Sequence, residues 1–265
     1  MNETKITSLR AYIASIPGVV VVAFSGGVDS TTLLKVASDV KHADVIAVTG
    51  DSASLPSADR RFITEFCKTY GISHKFIATN EAHHDGYVRN DGNRCYWCKK
   101  ELYTCLEEFA RSMSAACVFD GSNLSDKDDW RPGSRAVDEN AFVKRPFAEL
   151  FMTKDDVRAV ARELQLPVTD KPASACLSSR VMPGISISDD VLRRVDAIES
   201  HIRELGFDVV RVRHHGELAR IEIVKEDIAR FADVSSDVER FATGLGYKYI
   251  TLDLGGYKRG GGANP

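Results

Sequence analysis

No run of about 18 consecutive apolar residues occurs in this 265-residue chain, so no segment reads as a transmembrane helix. The N-terminus, MNETKITSLR, lacks the apolar stretch of a secretory signal. Charge of one sign is also lacking: 35 Lys+Arg stand against 38 Asp+Glu, a formal net charge of −3. That balance argues against an electrostatic grip on nucleic acid or on an acidic membrane. No internal repeat or low-complexity block appears. With 43% hydrophobic and 28% charged residues, disordered, collagen-like and coiled-coil readings of the whole chain are excluded. The expectation is a cytoplasmic globular protein with no membrane partner. Its length suits one large domain, or one of about 150–180 residues with a smaller companion.

Six cysteines are present, and in a cytoplasmic chain they are not expected to form a disulfide framework. Cys67, beside Phe62, Ile63 and Phe66, reads as a small buried hydrophobe. So do Cys105, beside Leu102 and Phe109, and Cys117, which opens a short apolar run. Cys95, Cys98 and Cys176 have polar or basic neighbours instead.

The first 120 residues alternate short apolar runs with helical periodicity. GVVVVAF (18–24) reads as a strand covered on both faces, and DVIAVTG (44–50), HKFIAT (74–79) and CVFDG (117–121) read as further strands. Helices are predicted over 29–40, over 57–70 and along Leu102, Cys105, Leu106, Phe109 and Met113. This rhythm predicts an α/β fold with a doubly wound parallel sheet and right-handed crossovers. The polar stretch 120–135 then falls at the edge where such sheets bind ligands. Thr153 opens a capping-box-like T-K-D-D start for a helix through Leu164, and Pro167 halts it.

From Ser188 the pattern changes. A helix over 188–205 closes at Gly206, followed by strands 209–213 and 218–224 joined through HHGE, a short helix 226–232 and a strand 247–254. On the strands, Val210 and Val212 alternate with Arg211 and Arg213, and Ala219, Ile221 and Ile223 with Arg220 and Glu222. This predicts a smaller C-terminal α+β domain with one apolar and one charged face. The domains expected are 1–170, a linking loop 171–186 that bears Cys176, and 187–265 with a flexible tail.

Ser25-Gly26-Gly27-Val28-Asp29-Ser30 follows a buried strand and opens a helix. Two glycines let the backbone turn tightly and present its amides, and the helix N-terminus adds partial positive charge, which suits a phosphate or pyrophosphate. Ser25 and Ser30 add hydroxyl donors, and Asp29 can cap the helix or hold a metal. The loop is neither a Walker A loop, since the lysine after the second glycine is missing, nor G-x-G-x-x-G.

SGGVDS resembles the pyrophosphate-binding loop of the ATP-pyrophosphatase superfamily, which cleaves ATP to AMP and pyrophosphate while adenylating a substrate. Within it, FSGGVDSTTLL, NRCYWCKKELY, DGSNLSDKDDWRPG, KPASACLSSR and RVRHHGELARIEI together resemble the LarE family of ATP-dependent sulfur transferases, over roughly residues 19–255. The resemblance implies an adenine nucleotide alpha hydrolase-like fold. It further implies ATP with Mg2+ as cofactors and pyridinium-3,5-biscarboxylic acid mononucleotide as the small-molecule substrate. The product is a thiocarboxylate on the route to a nickel-pincer cofactor, and a homo-oligomer, a hexamer, is the implied assembly. Adenylation gives a carboxylate a leaving group that a thiolate can displace. Cys176 matches the family's sulfur donor, and Lys171 and Arg180 are cationic neighbours of the kind that lower a thiol pKa. In the sacrificial form of the reaction the cysteine C–S bond breaks and leaves dehydroalanine.

Cys95 and Cys98 add a C-x-x-C to that pattern. Zinc would want four ligands and there is no second C-x-x-C. Members with this extra pair resemble cluster-dependent enzymes, so a 4Fe–4S cluster on Cys95, Cys98 and Cys176, with one open iron, is the favoured expectation over suicide chemistry and over a redox pair. By the same resemblance, Gly50 meets adenine through its backbone, while Gly121 and Arg131 lie on the ligand-edge loop. Trp97, Ser179, Arg180, Arg211 and Arg213 are expected to bind substrate, Arg211 and Arg213 at its phosphate, unless the last two only form a solvated strand face. Glu199 and Glu222 correspond to positions near substrate or metal, although two surface acids are commonly just solvated. His83-His84 reads as an exposed pair and His214-His215 as part of a hairpin turn. The rivals are a tRNA-thiolating relative, which would want a basic surface, an amide-forming ligase, which would not need the cysteines, and a non-catalytic ATP or iron–sulfur module.

Overall fold

The computed structural model describes residues 2–41, 43–127, 132–169 and 175–258. The elements run in the order α1 (Asn2–Ala14), β1 (Val19–Ala23), α2 (Val28–Ser38), β2 (Asp44–Asp51), α3 (Ser57–Tyr70), β3 (Ser73–Ala78), α4 (Asp85–Val88), α5 (Arg94–Ser112) and β4 (Cys117–Phe119). There follow α6 (Pro132–Asp138), β5 (Val143–Lys144), α7 (Pro146–Glu149), α8 (Lys154–Glu163) and α9 (Asp189–Glu204). The chain ends with β6 (Val210–His215), β7 (Leu218–Ile223), α10 (Ile228–Phe231), α11 (Ser235–Gly244) and β8 (Tyr249–Leu252). Among the described residues no helix is long and apolar enough to cross a membrane.

β1 to β5 form one parallel sheet in the order β3-β2-β1-β4-β5. Val20, Val21 and Val22 are buried on both faces of its central strand, as a β-branched run without polar alternation requires. Tyr103, Leu106 and Ala110 of α5 pack on Val21, Val48 and Val118. The strand order steps one way from β1 to β3 and the other way from β1 to β5. The winding therefore reverses between β1 and β4, the point beyond whose carboxyl ends doubly wound sheets characteristically take ligands. The fold is thus α/β and doubly wound. The Thr153 start of α8 is a capping box, with the Thr153 hydroxyl accepting from the Asp156 N–H and the Asp156 carboxylate accepting from the Thr153 N–H.

The second sheet has three strands, β6-β7-β8. β6 and β7 pair antiparallel, whereas β8 runs parallel to β7. A parallel return needs a crossover longer than a tight turn. α10 and α11 supply it, and α11 was not expected from the sequence. Gly206, at φ +90°, ends α9 in the left-handed conformation that glycine tolerates. His214 and His215 lie in β6 and not in the turn, and His214 is buried against Tyr247 through a 2.8 Å Nδ1–OH hydrogen bond.

The chain divides into two compact units, 1–52 with 59–81 and 95–174, and 53–58 with 82–94 and 175–265. The sequence places 53–58 and 82–94 in the first domain and makes 171–186 a linker. Hydrogen bonds tie them otherwise. The Leu177 N–H donates to the Ser54 carbonyl at 2.9 Å and the Ile187 N–H to the Val88 carbonyl at 3.0 Å. Asn90, at φ +53°, donates its amide to the carbonyls of Val181, Met182 and Ile185. The loop that carries Cys176 is therefore built into the second unit. Arg131 and Lys171 lie outside the described residues, as does the tail beyond 258.

Candidate functional site

In the first unit, β1 delivers the glycine turn to this reversal point. Gly26 takes φ +71°, and a Cβ there would press on Ile63 and Phe62 at 3.1 Å. Gly27 is the N-cap of α2 and makes no side-chain cap hydrogen bond to the helix amides, which suits the first turn to an anion. Ser25 is exposed and Ser30 buried. Their hydroxyls lie 3.1 Å apart, the Ser25 N–H donates to Ser30 Oγ at 3.2 Å, and Ser30 Oγ donates to the Gly27 carbonyl at 3.2 Å. Asp29 does not cap the helix. Its carboxylate takes a hydrogen bond from Lys154 Nζ, at the first position of α8.

Gly121 belongs to the same place. It follows β4 across the reversal point, and a Cβ on it would stand 3.0 Å from the Ser30 backbone nitrogen. Before it, Asp120 is buried and holds this corner. It accepts from the Ser122 N–H at 2.8 Å and from the Tyr103 hydroxyl at 2.5 Å. Burial works against the Asp120 charge, yet Lys99 and the bonds from Ser122 and Tyr103 outweigh it and hold the carboxyl below its usual range. Gly50, near the end of β2, has a packing reason of its own, since a Cβ would meet Leu102 Cδ1 at 2.7 Å.

Cys95 and Cys98 lie in the first turn of α5. Their three-residue spacing puts them on one face of the helix. Cys95 is exposed, Cys98 half-buried. Trp97 between them is half-buried, its ring edge-on to Tyr96 at 5.3 Å, with Lys100 Nζ 5.6 Å above it. Among the described residues, no group of three or more His, Cys, Asp or Glu side chains is placed to hold a metal ion. Of the other cysteines, Cys67 and Cys117 are buried as expected, while Cys105 is half-exposed. Burial pushes the thiols of Cys67 and Cys117 up to about 11.

In the second unit, Cys176 is half-exposed and precedes a 3-10 turn, Leu177–Arg180. Its carbonyl accepts from the Ser179 N–H at 3.0 Å and the Ser179 hydroxyl at 2.8 Å. Arg180 is buried. It donates Nη1 to the Ala175 carbonyl at 2.6 Å and Nε to Glu199 Oε1 at 2.9 Å. Glu199, fully buried in α9, also accepts from Arg203 at 2.9 Å and from the Val212 N–H at 3.0 Å. Arg213 grips Glu222 through two bonds of 3.0 and 3.1 Å and reaches the Ser179 carbonyl at 2.9 Å. Arg220 takes the same glutamate at 3.1 Å. The tyrosine of a buried pair, Tyr87, shares a 2.6 Å hydrogen bond with Ser178.

The alternative of a solvated strand face does not hold, since Arg211, Arg213 and Glu222 are buried. Glu199 and Glu222, expected as tentative metal ligands, are held by guanidinium groups. Burial works against the Glu199 charge, but Arg180 and Arg203 and the Val212 N–H keep its carboxyl below the usual range. In the structure the partners of the two glutamates are Arg180 and Arg203 for Glu199, and Arg213 and Arg220 for Glu222. Arg211 differs from its neighbours: it is buried, stacks 4.7 Å over Tyr257, and has no carboxylate partner among the described residues. Burial disfavours its charge, and Arg180 and Arg213 nearby add to that.

No family model matches the chain. It is 40% identical over 262 residues to an uncharacterized protein of Synechocystis sp., covering 98% of this chain and 97% of that protein. It is 37% identical over 242 residues to the pyridinium-3,5-bisthiocarboxylic acid mononucleotide synthase of Lactiplantibacillus plantarum, covering 91% of this chain and 87% of that enzyme. The chain belongs to the LarE family. A more distant likeness, 28% identity over 166 residues, 57% of this chain and 40% of the other, links it to the argininosuccinate synthase of Pyrococcus furiosus.

Of the LarE-type residues read from the sequence, the structure brings Ser25, Gly26, Gly27, Asp29, Ser30 and Gly121 together, sets Ser179 and Arg180 on the Cys176 carbonyl, and sets Arg213 on the Ser179 carbonyl. Sequence reasoning missed Asp120, Tyr103, Lys99 and Lys154. The strand-end VFDG carried a signal for Asp120. Lys154 carried none, since its partner is 125 positions away.

Proposed function

We propose that this LarE-family chain uses ATP to convert a carboxylate of pyridinium-3,5-biscarboxylic acid mononucleotide into a thiocarboxylate. The observation that supports it most is the anion-ready loop at the point where the sheet reverses. There a substrate carboxylate oxygen would attack the α-phosphorus of ATP, and pyrophosphate would leave. Mg2+ would supply charge neutralisation on the phosphates, and Asp29 offers one hard oxygen ligand of the kind that this ion takes alongside phosphate. Trp97 would stack on the pyridinium ring, and Arg211 would take the substrate phosphate.

The resulting acyl adenylate has AMP as its leaving group, and the Cys176 thiolate displaces it to form a thioester. Removal of the Cys176 Cα proton then expels the sulfur, so the Cβ–S bond breaks and the thiocarboxylate departs, leaving dehydroalanine. A 4Fe–4S cluster on Cys95, Cys98 and Cys176 would need three thiolates at one cube. Cys95 and Cys98, three positions apart on α5, would hold it together with Cys176, and its open iron would supply a site for sulfide. A homo-oligomer, read by light scattering, is part of the proposal.

The test is an anaerobic single turnover with ATP and the biscarboxylate, following pyrophosphate, product mass and intact protein mass, with iron analysis beforehand. Pyrophosphate, a thiocarboxylate and a protein lighter by one hydrogen sulfide are expected. An unchanged protein mass with about four irons per chain would move the sulfur source to a cluster. Absence of pyrophosphate would reject the enzyme reading altogether.

A further inference from the structure

The loop that follows β1 has no lysine of its own, yet it is not without a cation. Lys154 Nζ reaches Asp29, in the first turn of α2, from the first position of α8. A lysine at a helix N-terminus faces the positive end of that helix's dipole, an arrangement that costs stability. Asp29 offsets this only in part, because it is itself well placed at the N-terminus of α2 without any cation.

Several contacts nevertheless hold Lys154 where it is. The Ser125 hydroxyl accepts from its backbone N–H at 3.2 Å, and the Leu124 N–H donates to the Met152 carbonyl at 2.8 Å, so the loop after β4 is tied to the start of α8. Lys5 approaches Asp156 at 2.5 Å in the following residues. The amine and the carboxylate are both part-exposed, at 34% and 25%. An anion arriving at the loop can therefore compete with Asp29 for the ammonium.

We propose that Lys154 is the phosphate-binding lysine that the glycine loop lacks, supplied from α8. Asp29 parks its charge in the empty site and releases it to the pyrophosphate portion of ATP. The inference rests on the reading of this loop as an ATP site. It adds a phosphate-binding residue that neither the motif nor the spacing reveals. The exchange is an ion-pair switch with no covalent step, and it makes the cation's effect specific to the leaving pyrophosphate. AMP, which carries none of those oxygens, should not register it.

The experiment is direct titration of the full chain with inorganic pyrophosphate and, separately, with AMP, for the unaltered protein and for Lys154→Met and Lys154→Arg. Loss of one charge-assisted contact predicts about a tenfold or greater weakening of pyrophosphate binding in Lys154→Met. AMP should bind within about twofold in the same sample, and Lys154→Arg should keep pyrophosphate within about threefold. Binding of both ligands that is still measurable but equally weakened, or no weakening for pyrophosphate, would overturn the assignment while leaving the ATP reading intact. Should Lys154→Met fail to bind AMP as well, Lys154→Arg decides: pyrophosphate affinity lost together with AMP affinity in that variant rejects the proposal, and retention of both supports it. An unaltered protein that binds neither ligand overturns the ATP reading and the proposal with it.

Discussion

A side chain at position 121 would have no room, because its Cβ would stand 3.0 Å from the Ser30 nitrogen and 3.1 Å from the Asp29 carbonyl carbon. Both are backbone atoms, which cannot swing aside. Gly121→Val is therefore expected to push the two loops apart and weaken ATP binding about tenfold, about 1.4 kcal/mol, as read by titration. Gly50 is a different case, since the flexible tip of Leu102 is what a Cβ would meet. At this scale the sequence shows residue types well and partners poorly. Cys176, Ser179 and Arg180 could be named because all three fall within one short motif, KPASACLSSR, that resembles the family's. Whether Arg213 faces water or a glutamate depends on residues brought up from elsewhere, and here the partner is Glu222 across the β6–β7 pair.

The elements that carry Cys176 are joined by charge as much as by apolar packing. Glu199 on α9 accepts from Arg180 beyond the cysteine and from the Val212 N–H on β6, so one carboxylate fastens a turn, a helix and a strand. Glu199→Gln leaves buried guanidiniums without their counter-charge and is expected to cost about 3–5 kcal/mol. Urea unfolding should show this as a lower midpoint with an unchanged slope. The helix over 57–70, the Thr153 cap and the Gly206 stop were legible in the sequence because periodicity and capping are local. α11 was not, and neither was the parallel placement of β8. A strand's direction is set by the crossover that returns it, and no nearby residue encodes it.

The whole molecule should be most stable near neutral pH. Asp120 and Glu199 are held below the usual carboxylate range, and Asp156 is drawn down to about 2, chiefly by its hydrogen bond with Lys5. Each favours the folded state above its unfolded pKa, and that support is lost as pH falls through the folded value. Burial also lowers the pKa of His74, His214 and His215. The unfolded chain therefore takes up protons that the folded chain refuses, and stability starts to fall below about pH 6.5. Asp196, raised by burial, opposes this trend over a narrow acid range. At the alkaline end, Cys67 and Cys117 stay protonated up to about 11 when folded, whereas unfolded thiols ionise from about 8.5, so stability falls again there. Thermal melts should give a plateau between about pH 6.5 and 8.5; a Tm that rises on acidification from pH 6.5 to 5 would contradict this. By itself the sequence determined the doubly wound sheet and the glycine turn that follows its first strand, because each is written in a few consecutive residues whose geometry is set by their neighbours in the chain. Only the tertiary structure decided that the charged strand face is interior, that 53–58 and 82–94 join the unit of Cys176, and that Lys154 serves the loop of Asp29. Those facts depend on which distant segments meet, and burial and ion pairing are properties of the meeting.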